Sequence, residues 1–462
     1  MTETFSPPHG LPRTDPLRRP GQRPVAAPLS TIRAVALYIG ALLGPGLLLL
    51  PGLAAAEAGP ASVLAWIGLL LLSALFALVF AALGRAFPSG SGVTGYVTAG
   101  LGERAGRAAG WMFLAGVVTG APVVCLIGAS YVTALTGGGQ LARAGDAALL
   151  LLVVLILAAC GLRASGAAQL LLVGLLIAVV GTAVALSPRA TRAANWMPFA
   201  PHGWLAVGHA AATLMLSFVG WEAVAPLTIR FADPSRQLAR VVAITLAVTS
   251  VLYLGLAVAT IGVLGRGAGT LVPLAVLLRS AVGSAGIPAA TAVAVVLTLG
   301  TTNAYINGAA AMAGALLRPR EADGGDTGLG SRVKAGPGRP AVMLLAVIAA
   351  CGVSLFALYG VGLVSPASLV MVPTALFLAV YLGCMAAATR VLRGQARWAA
   401  LPAAACVLGL LGCCGWALVV PAVVAAAQAL ASARARGASR DTRAAPAGRR
   451  RSGRRSWPCR PG

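Results

Sequence analysis

Apolar sequence in this chain comes in blocks whose length limits its fold more than any motif does. Runs of about 17–25 apolar residues suffice for a helix to cross a hydrocarbon core about 30 Å thick. Such blocks fall at roughly 31–57, 61–84, 107–136, 145–161, 167–187, 206–229, 239–264, 285–317, 340–360, 364–389, 397–412 and 414–432. Inside lipid, main-chain N–H and C=O groups must be paired within the segment, so blocks of this kind fold as spanning helices. The expected fold is therefore all-α and integral to a membrane, with about 12 transmembrane helices. With 58% hydrophobic residues and only 10% charged, the composition excludes an ordinary soluble domain. The first 30 residues are rich in Pro and Arg and lack the apolar core of a cleavable signal, so the first block is expected to remain as a span.

Charge placement orients the bundle. If the N-terminus is inside, the connections on that side hold 30 of the 35 Lys and Arg residues, and the opposite side holds Arg143, Arg189, Arg192, Arg266 and Arg279. That asymmetry fits an even number of spans with both termini cytoplasmic in a bacterial plasma membrane. The net charge of +24 is thus mostly an orientation signal. The basic C-terminal stretch "RAAPAGRRRSGRRSWPCRPG" beside a membrane is drawn to anionic lipid rather than to nucleic acid.

The expected organisation is a disordered N-tail (1–30), a twelve-helix bundle (31–432) and a disordered polybasic C-tail (433–462). The bundle divides into one repeat at about 31–187, a second at about 206–389, and two extra helices at about 397–432. A Gly-rich charged segment, 318–340, reads as a disordered connection. Seven of the eight cysteines lie in apolar blocks and Cys459 in the tail; without CxxC spacing they read as small packing residues, and no metal site is expected.

Two blocks carry residues that oppose helix. Gly44, Pro45, Gly46, Pro51 and Gly52 interrupt "IGALLGPGLLLLPGLAA" (39–55), and Ser217, Gly220, Glu222 and Pro226 interrupt "AATLMLSFVGWEAVAPLTI" (211–229). Proline removes a donor, and glycine costs about 1 kcal/mol relative to alanine inside a helix. Either block alone would read as a kink. They are, however, the first and sixth blocks, matching places in two five-span halves, where inverted-repeat transporters put broken helices whose freed backbone groups bind substrate. A zwitterionic amino acid needs such groups: helix N-termini for its carboxylate and unwound carbonyls for its ammonium.

Glu222 is the acid set well inside a predicted span, where a charge costs on the order of 3 kcal/mol on insertion scales, so it reads as a protonatable coupling or gating group, or as a protonated carboxyl that closes a structural hydrogen-bond network. Tyr38, Tyr96, Phe218 and Trp221 flank the breaks and are candidate gates, or packing and interfacial anchors. Thr302, Asn303 and Asn307 share one face of the eighth block and either line a cavity or hold helices together.

Four segments resemble one family. "GALLGPGLLLLPG" resembles a G-[ST]-G-[IV] break, with Gly44 and Gly46 at its two glycines. "FPSGSGVTGYVTAGLGERAGRAAGW" (87–111) resembles the inner approach to span three, "SFVGWEA" the span-six F-[IV]-G-x-E core, and "ADPSRQLARVV" (232–242) the N-P-x-R motif after it. The chain is identified on these as resembling the amino acid-polyamine-organocation superfamily. Within it, "TTNAYINGAAAMAGALL" (301–317) is similar to bacterial exporters of L-methionine and branched-chain amino acids in keeping Asn303 and Tyr305. The resemblance implies the leucine-transporter 5+5 inverted repeat, with helices 1 and 6 broken. It also implies substrate between spans one, three, six and eight, and candidate binding residues Gly44, Pro45, Gly46, Ser217, Phe218, Gly220, Thr302 and Asn303. Two departures stand out: Pro45 replaces a usual Ser or Thr, and span five lacks the lysine that some proton-coupled relatives carry.

Spans, breaks and resemblance together lead to an expectation of secondary transport of neutral, apolar amino acids, with no cofactor and with either proton or sodium coupling, by a monomer or homodimer. Proton-coupled export by alternating access is the expectation, with uptake or exchange of other specificity as the alternative and a non-transporting sensor or scaffold of the same fold as the alternative from another class. An enzyme would need convergent reactive groups, but His9 lies in the tail, and His202 and His209 flank the start of the sixth block.

Overall fold

The computed structural model describes residues 30–87, 92–162, 166–224, 231, 234–317 and 338–430. The N-tail up to residue 29, most of the 318–340 connection, the C-tail, Pro226, His9 and Cys459 lie outside the described residues. Every regular element among the described residues is helical. Nine of these helices or continuous helical runs are long and apolar enough to cross a membrane, and three shorter apolar helices accompany them, at Thr31–Gly40, Leu205–Phe218 and Gly415–Leu430.

The first block folds as two helices. Helix α1 (Thr31–Leu42) starts where the Ser30 hydroxyl accepts from the Arg33 amide, and α2 (Gly46–Ala58) starts behind Pro45. Pro45 disfavours helical geometry at Gly44 while its own φ of −58° suits the residue preceding a helix, so one residue ends α1 and begins α2. A short 3-10 turn then leads into α3 (Ser62–Ala86). The connection before span three contains α4 (Gly92–Leu101), which abuts α5 (Glu103–Thr136). Helices α6 (Gln140–Ala159) and α7 (Gly166–Leu186) follow.

The sixth block is also divided. Helix α8 (Leu205–Leu214) tightens into a 3-10 turn over Met215–Phe218, Val219 is extended, and a short α9 (Trp221–Val224) follows. Gly220 between them has φ +147°, a conformation that side chains with a Cβ rarely adopt, so this break depends on glycine. Beyond it come α10 (Pro234–Leu264), α11 (Pro273–Val282), α12 (Gly286–Leu316), α13 (Arg339–Gly360), α14 (Pro366–Val391), α15 (Gln395–Cys413) and α16 (Gly415–Leu430, its first turn 3-10). Helix α11 lies within a connection between predicted spans: Pro273 opens it, and Leu274, Ala275, Leu277 and Leu278 are buried.

Burial separates the centre from the rim. In their most apolar windows α5 is 72% and α14 67% buried, against 22% for α7, α13 and α15. The rim turns large apolar side chains such as Leu171 and Val353 outward, the arrangement required of a surface solvated by lipid. Helix α5 packs on α12, α14, α6 and α4, whereas α1 packs on α10 and α7, and α2 on α8. The two halves of the first broken run therefore have different main neighbours, although both also touch α10.

Candidate functional site

The two breaks meet. A Cβ on Gly46, the first residue of α2, would lie 2.7 Å from Ser217 Oγ and 3.5 Å from Ser217 Cα, so glycine permits the close approach of these segments. Tyr253 of α10 fastens them: its hydroxyl is 2.7 Å from the Leu42 carbonyl, at the end of α1, and 2.7 Å from the Ser217 carbonyl. The Leu42 carbonyl, at the end of α1, also accepts from the Gly44 amide at 2.8 Å, whereas the Ser217 carbonyl lies in the 3-10 turn, where a buried carbonyl without a donor is costly. The Tyr253 ring packs on Trp66 and Phe218 at 5.2 and 5.1 Å, which fixes its hydroxyl. Likewise the Tyr131 hydroxyl of α5 donates to the Leu48 carbonyl in the first turn of α2, at 2.7 Å.

Beside the breaks is a cavity of about 70 Å³. A single water needs only about 10–15 Å³ by this measure, so the space suits a small solute. Gly44, Pro45 and Gly46 form one wall, Ser217 and Val219 another, and Thr301, Thr302 and Tyr305 of α12 a third. The remainder is apolar: Gly116, Val117 and Gly120 of α5 face Phe377 of α14. A Cβ on Gly116 would lie 3.0 Å from the Phe377 ring, so the missing side chain leaves this end open. No charged side chain is among the lining residues.

The hydroxyls of the cavity differ from most others in the bundle. Ser130, Thr249, Thr260 and Thr374 are buried, and each donates to the carbonyl four residues earlier in its own helix. Ser217 and Thr302 border the cavity, and their hydroxyls are buried with no hydrogen-bond partner among the described residues; Thr245 and Thr298, also without one, lie elsewhere. Two residues bordering a small, otherwise apolar chamber thus hold hydroxyls that lack a partner among the described residues.

Other residues singled out in the sequence sit around this chamber rather than in its wall. Phe218 is packed between Trp66 and Tyr253. The Asn303 amide donates to the Leu162 carbonyl at 2.8 Å and accepts from Asn307, which joins α12 to the end of α6. Glu222 is 4% exposed, and its Oε2 accepts from the Gly220 amide at 3.0 Å and from the Tyr381 hydroxyl of α14 at 2.5 Å. Its other oxygen, Oε1, has no partner among the described residues. Tyr381 packs against Phe76 and Phe80, and Phe80 against Tyr96. Trp221 donates to Ser73 Oγ at 2.9 Å and meets Tyr38 edge-on at 6.2 Å. Tyr305 links the two regions, since it lines the cavity and lies within electrostatic reach of Glu222.

Tyr131, Tyr253, Tyr381 and Phe377 escaped the sequence reading, and Tyr305 entered it only through the family resemblance. Each is an aromatic residue in an apolar run, and a tyrosine hydroxyl deep in a span was the available signal, because such a group needs a partner. Among the described residues no group of three or more His, Cys, Asp or Glu side chains could hold a metal ion, and the seven described cysteines are unpaired.

Comparison with known proteins matches the amino acid permease family model over residues 29–433. The chain is 32% identical over 402 residues to an uncharacterized amino acid permease of Bacillus subtilis, YecA, covering 86% of this chain and 94% of that protein. It is 29% identical over 399 residues to the L-methionine/branched-chain amino acid exporter YjeH of Escherichia coli, covering 84% and 92%. A branched-chain amino acid permease of Bacillus subtilis, BcaP, is 24% identical over 281 residues, covering 56% of this chain and 60% of BcaP. With the family model spanning nearly all of the helical bundle, this chain belongs to the amino acid permease family and is a multi-pass membrane protein of amino acid transport.

Proposed function

We propose that the chain is a secondary transporter of neutral, apolar amino acids that works by alternating access. The observation that carries this reading is the chamber between the two breaks, with the Ser217 and Thr302 hydroxyls unpartnered and no charged side chain in its walls. The main chain around Gly44–Gly46 and Ser217–Val219 would take the carboxylate and ammonium, and the apolar end by Gly116, Gly120 and Phe377 would take the side chain. An arginine or glutamate side chain would be desolvated there without a counter-charge. The names of two relatives, a methionine and branched-chain exporter and a branched-chain permease, point to the same substrate class.

In this reading the nine span-length runs and three shorter apolar helices form twelve spans, with α1–α2 and α8–α9 as the broken first and sixth members of a 5+5 inverted repeat. Both termini are inside, and spans eleven and twelve are additions to the repeat. Glu222, buried and near Tyr305, is the proton carrier, with Tyr38, Tyr96 and Trp221 as gating residues around it. One proton crossing 100 mV supplies about 2.3 kcal/mol, enough to bias export of a zwitterion by proton antiport.

The test is flux of labelled methionine, leucine, arginine and glutamate in proteoliposomes, with and without an imposed pH gradient. Gradient-driven movement of methionine and leucine is expected. Flux of arginine or glutamate alone overturns the substrate class, and movement of methionine unaffected by the gradient overturns proton coupling.

A further inference from the structure

The far end of α2 carries an ionisable group that the transport reading does not use. Glu57 sits in its last turn, half-buried, with both carboxylate oxygens at the Thr213 hydroxyl of α8, 2.8 Å from Oε1 and 3.1 Å from Oε2. Thr213 is fully buried, so its hydroxyl is held at this place by packing. A hydroxyl placed against both carboxylate oxygens can donate to the ionised form, which makes the hydrogen bond charge-assisted. This hydrogen bond joins the second half of the first broken run to the first half of the sixth, a pairing of positions 156 residues apart in sequence.

The same end of α2 is held on other sides as well. His202 Nδ1 donates to the Glu57 carbonyl at 2.9 Å, and the Ala61 amide donates to the Phe199 carbonyl at 2.9 Å. Gly52 faces the Thr270 carbonyl so closely that a Cβ would overlap it, and a Cβ on Gly269 would lie 3.1 Å from Ala56 Cβ. On the elements packed against this end, the charged and titratable groups are His209 on α8, His202 in the preceding turn, Arg266 in the 265–269 turn and Arg279 on α11. His209 lies within electrostatic reach of the Glu57 carboxylate, whereas His202 meets only its main chain.

We propose that Glu57 is a second proton-binding site, separate from Glu222, whose ionised form latches α2 to α8 through Thr213. A proton added to the carboxylate converts a charge-assisted hydrogen bond into a neutral one, so acid loosens the latch. Glu222 lies beyond the break, bonded to Gly220 and Tyr381, and among the described residues shares no hydrogen-bond partner with Glu57. The chamber is bordered by the other ends of the same two segments, at Gly46 and Leu216. Protonation at Glu57 would thus be felt as freedom of α2 and α8 to part. The functional meaning of this site, as an outer sensor of the proton gradient, rests on the transport reading.

The test is amide hydrogen exchange of the full chain in nanodiscs, corrected for the intrinsic pH dependence of exchange, followed in segments 52–61 and 199–214. On moving from about pH 8 to about pH 5, a range that spans carboxylate titration, wild-type exchange there should rise about tenfold, the ratio expected when a charge-assisted hydrogen bond becomes neutral. Glu57→Gln should abolish that pH dependence, and Thr213→Val should give fast exchange at both pH values. Glu222→Gln should leave the pH dependence as in wild type. A flat wild-type profile, or a Glu57→Gln profile that matches wild type, would overturn the proposal. No substrate enters the measurement, so it answers for Glu57 whether or not flux is found.

Discussion

Tyr253→Phe isolates a single proton at the point where both breaks are tied. The hydroxyl is 2.7 Å from each of the Leu42 and Ser217 carbonyls, and the ring, which stays, keeps its contacts with Trp66 and Phe218. No cavity larger than one oxygen is made, so the packing cost is small and the polar cost dominates. The Leu42 carbonyl keeps its Gly44 donor, so the loss falls on the Ser217 carbonyl and is counted once: leaving a buried carbonyl without its donor costs about 1–3 kcal/mol. If the tie sets the spacing of the segments that flank the chamber, that cost falls on the binding-competent arrangement and weakens amino acid binding about 5–150-fold. The assay is equilibrium binding of labelled methionine and leucine to purified wild type and variant, with thermal unfolding measured in parallel. Weaker binding accompanied by a lower melting temperature is the expected pair. Binding within about twofold of wild type, below the 1 kcal/mol that even the smallest estimate implies, would refute the view that Tyr253 holds the site.

Further substitutions separate the parts of the site. Gly46→Leu puts a branched side chain where a Cβ alone would lie 2.7 Å from Ser217 Oγ; binding should be lost while the protein still inserts and purifies, and normal uptake would sink the broken-run site. Ser217→Ala and Thr302→Val each remove one unpartnered hydroxyl from the chamber. Each should weaken binding by about 0.5–1.5 kcal/mol, a few-fold to about tenfold in Kd, without a fall in melting temperature, because neither hydroxyl has a protein partner to lose. Glu222→Gln should keep amino acid exchange but lose the response of flux to pH, as read in proteoliposomes; an unchanged pH profile would remove Glu222 from coupling. Gly116→Leu directs bulk at the Phe377 ring and should exclude leucine and methionine while sparing alanine, as measured by competition for binding.

Local chemistry along the chain was enough to mark the membrane-spanning blocks, because in lipid a helix must be a certain length and apolar throughout. It also marked both breaks, since Pro45 and Gly220 act on their own backbone: one forbids the helix, and the other adopts φ +147°. Glu222 was legible because a carboxyl in such a run is costly wherever it points. Tertiary structure decided what a local signal cannot carry. Sequence spacing left Asn303 open between lining a cavity and joining helices, and packing set its amide on the Leu162 carbonyl, while Tyr305, two residues on, reached the chamber. Tyr253 and Leu42 are 211 positions apart, and Tyr381 and Glu222 are 159 apart. Hydropathy treats each of these tyrosines as one more apolar residue, yet each hydroxyl has to find an acceptor, and only the packing of distant helices determines which one.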